Sequence, residues 1–157
     1  MNDRAKFYER LTQQVEAFTG PDVHWLSTLA NTAALLWMEL DTINWAGFYL
    51  KSGEQLVLGP FQGNPACTNI DIGKGVCGTA FAQRKPLAVA NVHEFPGHIA
   101  CDAASESEIV LPFYAKTQLI GVLDIDSPVL NRFDQHDVSG LQKLLNLLAN
   151  ALPDIEF

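Results

Sequence analysis

No uninterrupted apolar stretch in these 157 residues approaches the length needed to cross a bilayer. Met1 to Arg10 are polar and charged, with no apolar signal core behind them, so the sequence predicts a cytoplasmic protein that does not engage a membrane. Positive charge is scarce. Ten Lys and Arg stand against 18 Asp and Glu, a net charge of -8, and no local Lys/Arg cluster offsets it. A phosphate backbone would be repelled, which excludes nucleic acid as an expected partner. Cysteine is scarce too, and odd in number: three thiols cannot all pair within one chain. In a reducing compartment their expected uses are core packing, metal binding or reactive chemistry. Repeats, low-complexity tracts and linkers are also missing. With 48% hydrophobic content the chain can build one substantial core, and it is too short for two ordinary domains, so residues 1–157 are expected to form a single domain.

What is present is strong periodicity. Between Arg4 and Phe18, Tyr8, Leu11, Val15 and Phe18 recur at steps of three and four before Gly20-Pro21, which predicts an amphipathic helix. Asp22 is a suitable cap for a second helix with the stripe Trp25, Leu29, Ala33, Leu36 and Leu40, expected to be mostly buried. Ile43 to Leu50 and Glu54 to Phe61 flank the turn signal Ser52-Gly53 and predict a hairpin. Five glycines and two prolines between Gly59 and Gly78 predict a structured loop, followed by a short helix over Val76 to Arg84. Pro86 to Val92 predicts a strand, Asn91 to Ser107 an irregular segment, and Glu108 to Tyr114 with Leu119 to Asp126 two further strands. Asp134 caps a last helix through Val138, Leu141, Leu144, Leu145 and Leu148. The order predicts an α+β fold, an antiparallel sheet covered on one side.

Residues two apart in a strand share a face. Ile120, Val122, Asp124 and Asp126 therefore share one face, and Leu119, Gly121, Leu123 and Ile125 the other. Trp45, Gly47 and Tyr49 share a face as well, with Gly47 leaving room between two rings, and Glu108 opens a third strand. If these faces meet over one cavity, aromatic walls and three carboxylates suit a ligand with an ammonium group and an apolar body. The alternative is two aspartates facing water on a half-exposed sheet. Against it, mutual repulsion at the end of an apolar strand is tolerated only beside solvent or a cation.

Cys67, Cys77 and Cys101 lie in the glycine-rich, irregular middle of the chain and outside the helical stripes. A free cysteine is more often a small buried hydrophobe than a catalyst. His93 and His98 near Cys101 could lower its pKa, or could equally be capping or surface residues. Zinc is the competing use, on His93, His98 and Cys101 with Cys67 or Cys77, but no C-x-x-C or H-x-x-x-H pair is present and Cys67 and Cys77 lie ten apart, so no metal is expected. Gly73-Lys74-Gly75 lacks the spacing of a phosphate loop and is read as turn chemistry.

Several runs carry a resemblance: Gly59 to Cys67 (GPFQGNPAC), Gly73 to Gly78 (GKGVCG), Phe95 to Asp102 (FPGHIACD), Ser107 to Val110 (SEIV) and Gly121 to Ser127 (GVLDIDS). Together with all three cysteines in place, they resemble the free methionine-(R)-sulfoxide reductases, which are stand-alone GAF domains, over almost the whole chain. The resemblance implies a GAF fold of about six strands with a small enclosed pocket, a homodimer, and no cofactor. It implies Cys101 as nucleophile, Cys67 or Cys77 as resolving thiol, and Trp45, Tyr49, Glu108, Asp124 and Asp126 as the substrate pocket, with one carboxyl donating a proton to the sulfoxide oxygen. The implied reaction passes through a sulfenic acid and a disulfide that thioredoxin or a similar dithiol reduces. A GAF small-molecule sensor without catalysis is the alternative.

Overall fold

The computed structural model describes residues 2–99, 101 and 103–155; Ala100 and Asp102 of the Phe95 to Asp102 run lie outside the described residues. Helices α1 (Asp3–Glu16) and α2 (Trp25–Glu39) precede the hairpin β1 (Trp45–Ser52) and β2 (Gln55–Gly63). Then come β3 (Asn69–Asp71), α3 (Gly75–Gln83), β4 (Leu87–Val89), β5 (Ser107–Ala115), β6 (Gln118–Ser127) and α4 (Gln135–Ala151). The six strands form one sheet in the order β3-β2-β1-β6-β5-β4, and every pairing is antiparallel. This is the α+β architecture the sequence predicts.

The helices divide between the two faces. On one face α1, α2 and α4 pack over an apolar core that includes Leu11, Leu36, Phe48, Leu111, Leu123 and Leu144. At its rim sits a polar knot. Asp134 caps α4 in a capping box with Asp137, and buried Asp137 accepts a hydrogen bond from the Tyr8 hydroxyl at 2.6 Å and pairs with Arg4 at 2.6 Å. The opposite face is covered by α3 and the loops around it, over a second cluster of Trp45, Tyr49, Leu56, Val76, Val110 and Val122. The expectation of a sheet covered on one side is corrected accordingly. The second face is what makes an enclosed pocket possible.

Five further expectations are revised. His24, not Asp22, caps α2, its Nδ1 accepting from the Leu26 amide at 3.0 Å, and α2 is buried along one side only, with Leu26, Trp37 and Met38 exposed. The predicted loop after Gly59 contains the end of β2 and all of β3, because glycine and proline there mark a bulge rather than the end of pairing. Two steps from Gly47 to Tyr49 on β1 match three from Phe61 to Leu58 on β2, and Pro60, which has no N–H to give, sits in that bulge. The strand expected over Pro86 to Val92 is shorter, and Val92–Glu94 forms a 3-10 turn. Ile120 lies in the helix-side core instead of beside Val122: Phe113 pairs with Gly121 and Tyr114 with Leu119, so Ile120 is an extra residue that resets the alternation.

Candidate active site

Strand register assembles the site. Across β1, β6 and β5, Trp45 faces Asp126 and Asp126 faces Glu108; one step along, Gly47 faces Asp124 and Asp124 faces Val110. Three carboxyls and two aromatic rings are thereby brought onto one face, as the two-residue period predicts. The rings of Trp45 and Tyr49 stack at 5.8 Å, and Phe61 from β2 stacks on Trp45 at 5.1 Å. A Cβ on Gly47 would collide with Phe61, so the glycine is what admits that third ring. Both pocket aromatics are tied to the loop carrying Cys67: the Trp45 indole donates to the Asn64 carbonyl at 3.1 Å, and the Tyr49 hydroxyl to the Cys67 carbonyl at 2.9 Å.

The roof is covalent. Cys67 and Cys101 form a disulfide across 34 residues, with Cα atoms 5.3 Å apart. Cys77 is the free thiol, and the expectation that all three thiols sit in irregular segments is corrected for it: Cys77 belongs to the first turn of α3, where it is 5% exposed and packed into the pocket-side cluster. Gly75, at φ 62°, opens that turn, and the Ile99 side chain packs where its Cβ would be, which seats the segment leading to Cys101 against α3. Of the two histidines, His93 is exposed and pairs with Glu106 at 3.1 Å, whereas His98 lines the pocket, its pKa lowered by burial and by His93.

The cavity so enclosed holds about 40 Å³ and is lined by Trp45, Tyr49, Cys77, Cys101 and the three carboxyls, with His98, Ser105 and Lys74 among the rest. Glu108 is 8% and Asp124 4% exposed, and Asp124 Oδ1 has no hydrogen-bond partner among the described residues. Burial, then the neighbouring Asp124, pushes the Glu108 carboxyl well above the usual carboxylate range; burial, then Asp126, does the same to Asp124. Burial and Asp124 also push up the Cys77 thiol. Carboxyls raised in this way hold their protons to higher pH than exposed ones and can donate them to a bound ligand. Cys77 Sγ lies 3.9 Å from Glu108 Oε2, and Cys77, Glu108 and Asp124 are the grouping among the described residues with donors close enough to share a metal ion. The ligand set weighed from sequence, with His93 and Cys101, is a different one. Sequence reading missed Phe61 and Lys74; a strand pattern that allowed for a bulge at Pro60 would have placed Phe61 on the pocket face.

A curled antiparallel sheet with a small pocket closed by one helix and its loops defines a ligand-binding domain of GAF type, and a GAF domain model matches residues 3–152. The free methionine-R-sulfoxide reductase of Escherichia coli (strain K12) is 50% identical over 155 residues, covering 99% of this chain and 94% of that one. Among solved structures, fRMsr of Staphylococcus aureus in complex with substrate is 48% identical, with a TM-score of 0.87 over 93% of this chain and 95% of that chain. The free methionine-R-sulfoxide reductase of Neisseria meningitidis, also with its substrate, is 41% identical, with a TM-score of 0.89 over 96% and 91%. The chain belongs to the GAF-domain family and, within it, to the free methionine-R-sulfoxide reductases.

Proposed function

We propose that this protein reduces free L-methionine-(R)-sulfoxide to methionine, with Cys101 as the nucleophile. The observation that carries the reading is the Cys67–Cys101 disulfide lying on a pocket of buried carboxyls and stacked aromatics. The Cys101 thiolate attacks the sulfoxide sulfur; the oxygen, a poor leaving group, takes a proton from a buried carboxyl and passes to Cys101 as a sulfenic acid, releasing methionine. Glu108 and Asp124, whose pKa values are raised, are the groups suited to hold that proton. Asp126, partly exposed on the same face, is placed to bind the substrate ammonium. Trp45 and Tyr49 flank the methyl end, and a peptide-bound residue, lacking the ammonium and bringing extra chain, is rejected.

The thiol of Cys67 then attacks the sulfenic acid, forming the disulfide and releasing water; thioredoxin or a similar dithiol protein returns both cysteines to thiols. Of the two resolving candidates the bridge favours Cys67, since Cys77 is buried with its thiol held protonated. The working unit in this reading is a cytoplasmic homodimer of single-domain subunits that needs no cofactor. No helix among the described residues is long and apolar enough to cross a membrane.

Reduced protein mixed with free L-methionine-(R)-sulfoxide should release methionine, and Cys101→Ser should lower release by on the order of a thousandfold or more. Undiminished release from Cys101→Ser would sink the assignment. Equal turnover of the S epimer or of a peptide-bound sulfoxide would overturn the argument from pocket shape.

A further inference from the structure

The reduction cycle above needs two thiols, and the bridge supplies both. The third, Cys77, is nonetheless placed at the floor of the pocket among carboxyls, in the first turn of α3. Its Sγ, one oxygen of Glu108 and one of Asp124 all lie within 4.8 Å of one another, and all three residues are buried. Tetrahedral zinc, with bonds of about 2.0 Å to oxygen and 2.3 Å to sulfur, holds neighbouring donors about 3.5 Å apart. The Cys77 Sγ to Glu108 Oε2 separation of 3.9 Å is within a small side-chain adjustment of that. A second observation points the same way: Asp124 lines the cavity, and its Oδ1 is buried with no hydrogen-bond partner among the described residues. Lys74 is the one lysine or arginine among the described residues that line the pocket, and it is exposed to solvent. The cluster is thus an anionic-capable donor set with no side-chain cation buried beside it, in a cavity of about 40 Å³ that suits an ion with water better than a bulky cofactor.

We propose that the floor of the pocket is a binding site for one borderline divalent metal ion of the zinc class, held by Cys77 Sγ and by carboxylate oxygens of Glu108 and Asp124, with water in the fourth position. Binding forms one metal–sulfur and two metal–oxygen bonds and releases the thiol proton, with any carboxyl proton, to solvent; nothing is oxidised or reduced. Because the ligands include the carboxyls assigned above to the sulfoxide, metal and substrate exclude one another, and the metal acts as a reversible inhibitor. Metal binding rests on the geometry of the pocket alone; the exclusion of substrate rests on the reductase reading as well. The site exists in the oxidised protein, where Cys67 and Cys101 are bound to each other and Cys77 is the remaining thiol.

The test uses the full chain with its disulfide intact and no added reductant. Titration with cadmium should bind one equivalent and raise a thiolate-to-metal charge-transfer band; Cys77→Ser should lose the band and bind at least about tenfold more weakly. X-ray absorption of the zinc-loaded wild type should show one sulfur among oxygen or nitrogen donors, a readout that does not depend on how the variant folds. No band in wild type, an unchanged band in Cys77→Ser, or a zinc shell with no sulfur or with two would overturn the proposal. None of these readouts needs turnover, so their failure leaves the methionine-release assay standing, and the reverse holds too.

Discussion

Asp137 and Asp124 are buried to nearly the same degree, at 1% and 4% exposure, yet the protein treats them in opposite ways. Asp137, on the helix side, is fully met: the Tyr8 hydroxyl donates to it, the Asp134 amide donates at 2.9 Å, and Arg4 and Arg132 pair with it at 2.6 and 3.6 Å. Asp124, on the pocket side, has an oxygen with no hydrogen-bond partner among the described residues and carboxyl neighbours in place of a cation. A buried charge that is paired joins elements together; one left unpaired costs stability and stays neutral until a ligand arrives. One carboxylate is spent on holding α1 to α4, the other is kept available for chemistry.

The comparison breaks most visibly at Asp124. Asp124→Asn should lower methionine release by about 10²–10⁴-fold while leaving the midpoint of urea unfolding unchanged or raised, because the variant removes a carboxyl whose buried oxygen the fold does not satisfy. A comparable loss of stability would show that Asp124 is structural after all. Asp137→Ala should do the reverse, costing about 3 kcal/mol through the orphaned Tyr8 hydroxyl and the lost capping box, with kcat of the folded fraction retained.

The pH dependence sharpens the contrast. Glu108 and Asp124 have folded-state pKa values above their unfolded ones, so the folded state binds more protons, and their effect is to make stability fall as pH rises from the ordinary carboxylate range through the raised values. Melting temperature plotted against pH should therefore slope downward over that window in wild type and flatten in Asp124→Asn. Asp134 behaves oppositely. Arg4 holds it at about 2, so its contribution is present above the usual carboxylate range and is lost as pH falls through about 2. The smallest effect belongs to Arg4→Ala, which takes the cation from both Asp134 and buried Asp137 but leaves Asp137 its bonds to Tyr8, the Asp134 amide and Arg132, and should cost about 1–2 kcal/mol, read as a shift in the urea midpoint.

The site was more legible in the sequence than its surroundings. Glu108, Asp124, Asp126, Trp45 and Tyr49 are strand residues, and a two-residue period places such residues on a face whatever else the fold does. Segments where that period is interrupted were misread. Ile120 and the stretch around Pro60 both sit at bulges, which an alternating pattern does not register because one inserted residue looks the same as an ordinary step until a partner strand is known. The cap of α2 was misplaced for a related reason, since Asp22 and His24 both carry acceptors and only the backbone path selects between them.

What the sequence determined by itself was the membership of each face. Alternation placed Trp45 with Tyr49 on one face of β1 and Asp124 with Asp126 on one face of β6, and the motifs around the three cysteines carried the resemblance to the reductase family. Only the tertiary structure decided which thiol meets Cys101 and what surrounds Cys77. Both depend on contacts between segments far apart in the chain: the bridged cysteines are 34 positions apart, and Glu108 comes from β5 to Cys77 on α3. Such proximity is set by how α3 and the loops around it close over the sheet, a long-range packing outcome that local periodicity does not encode.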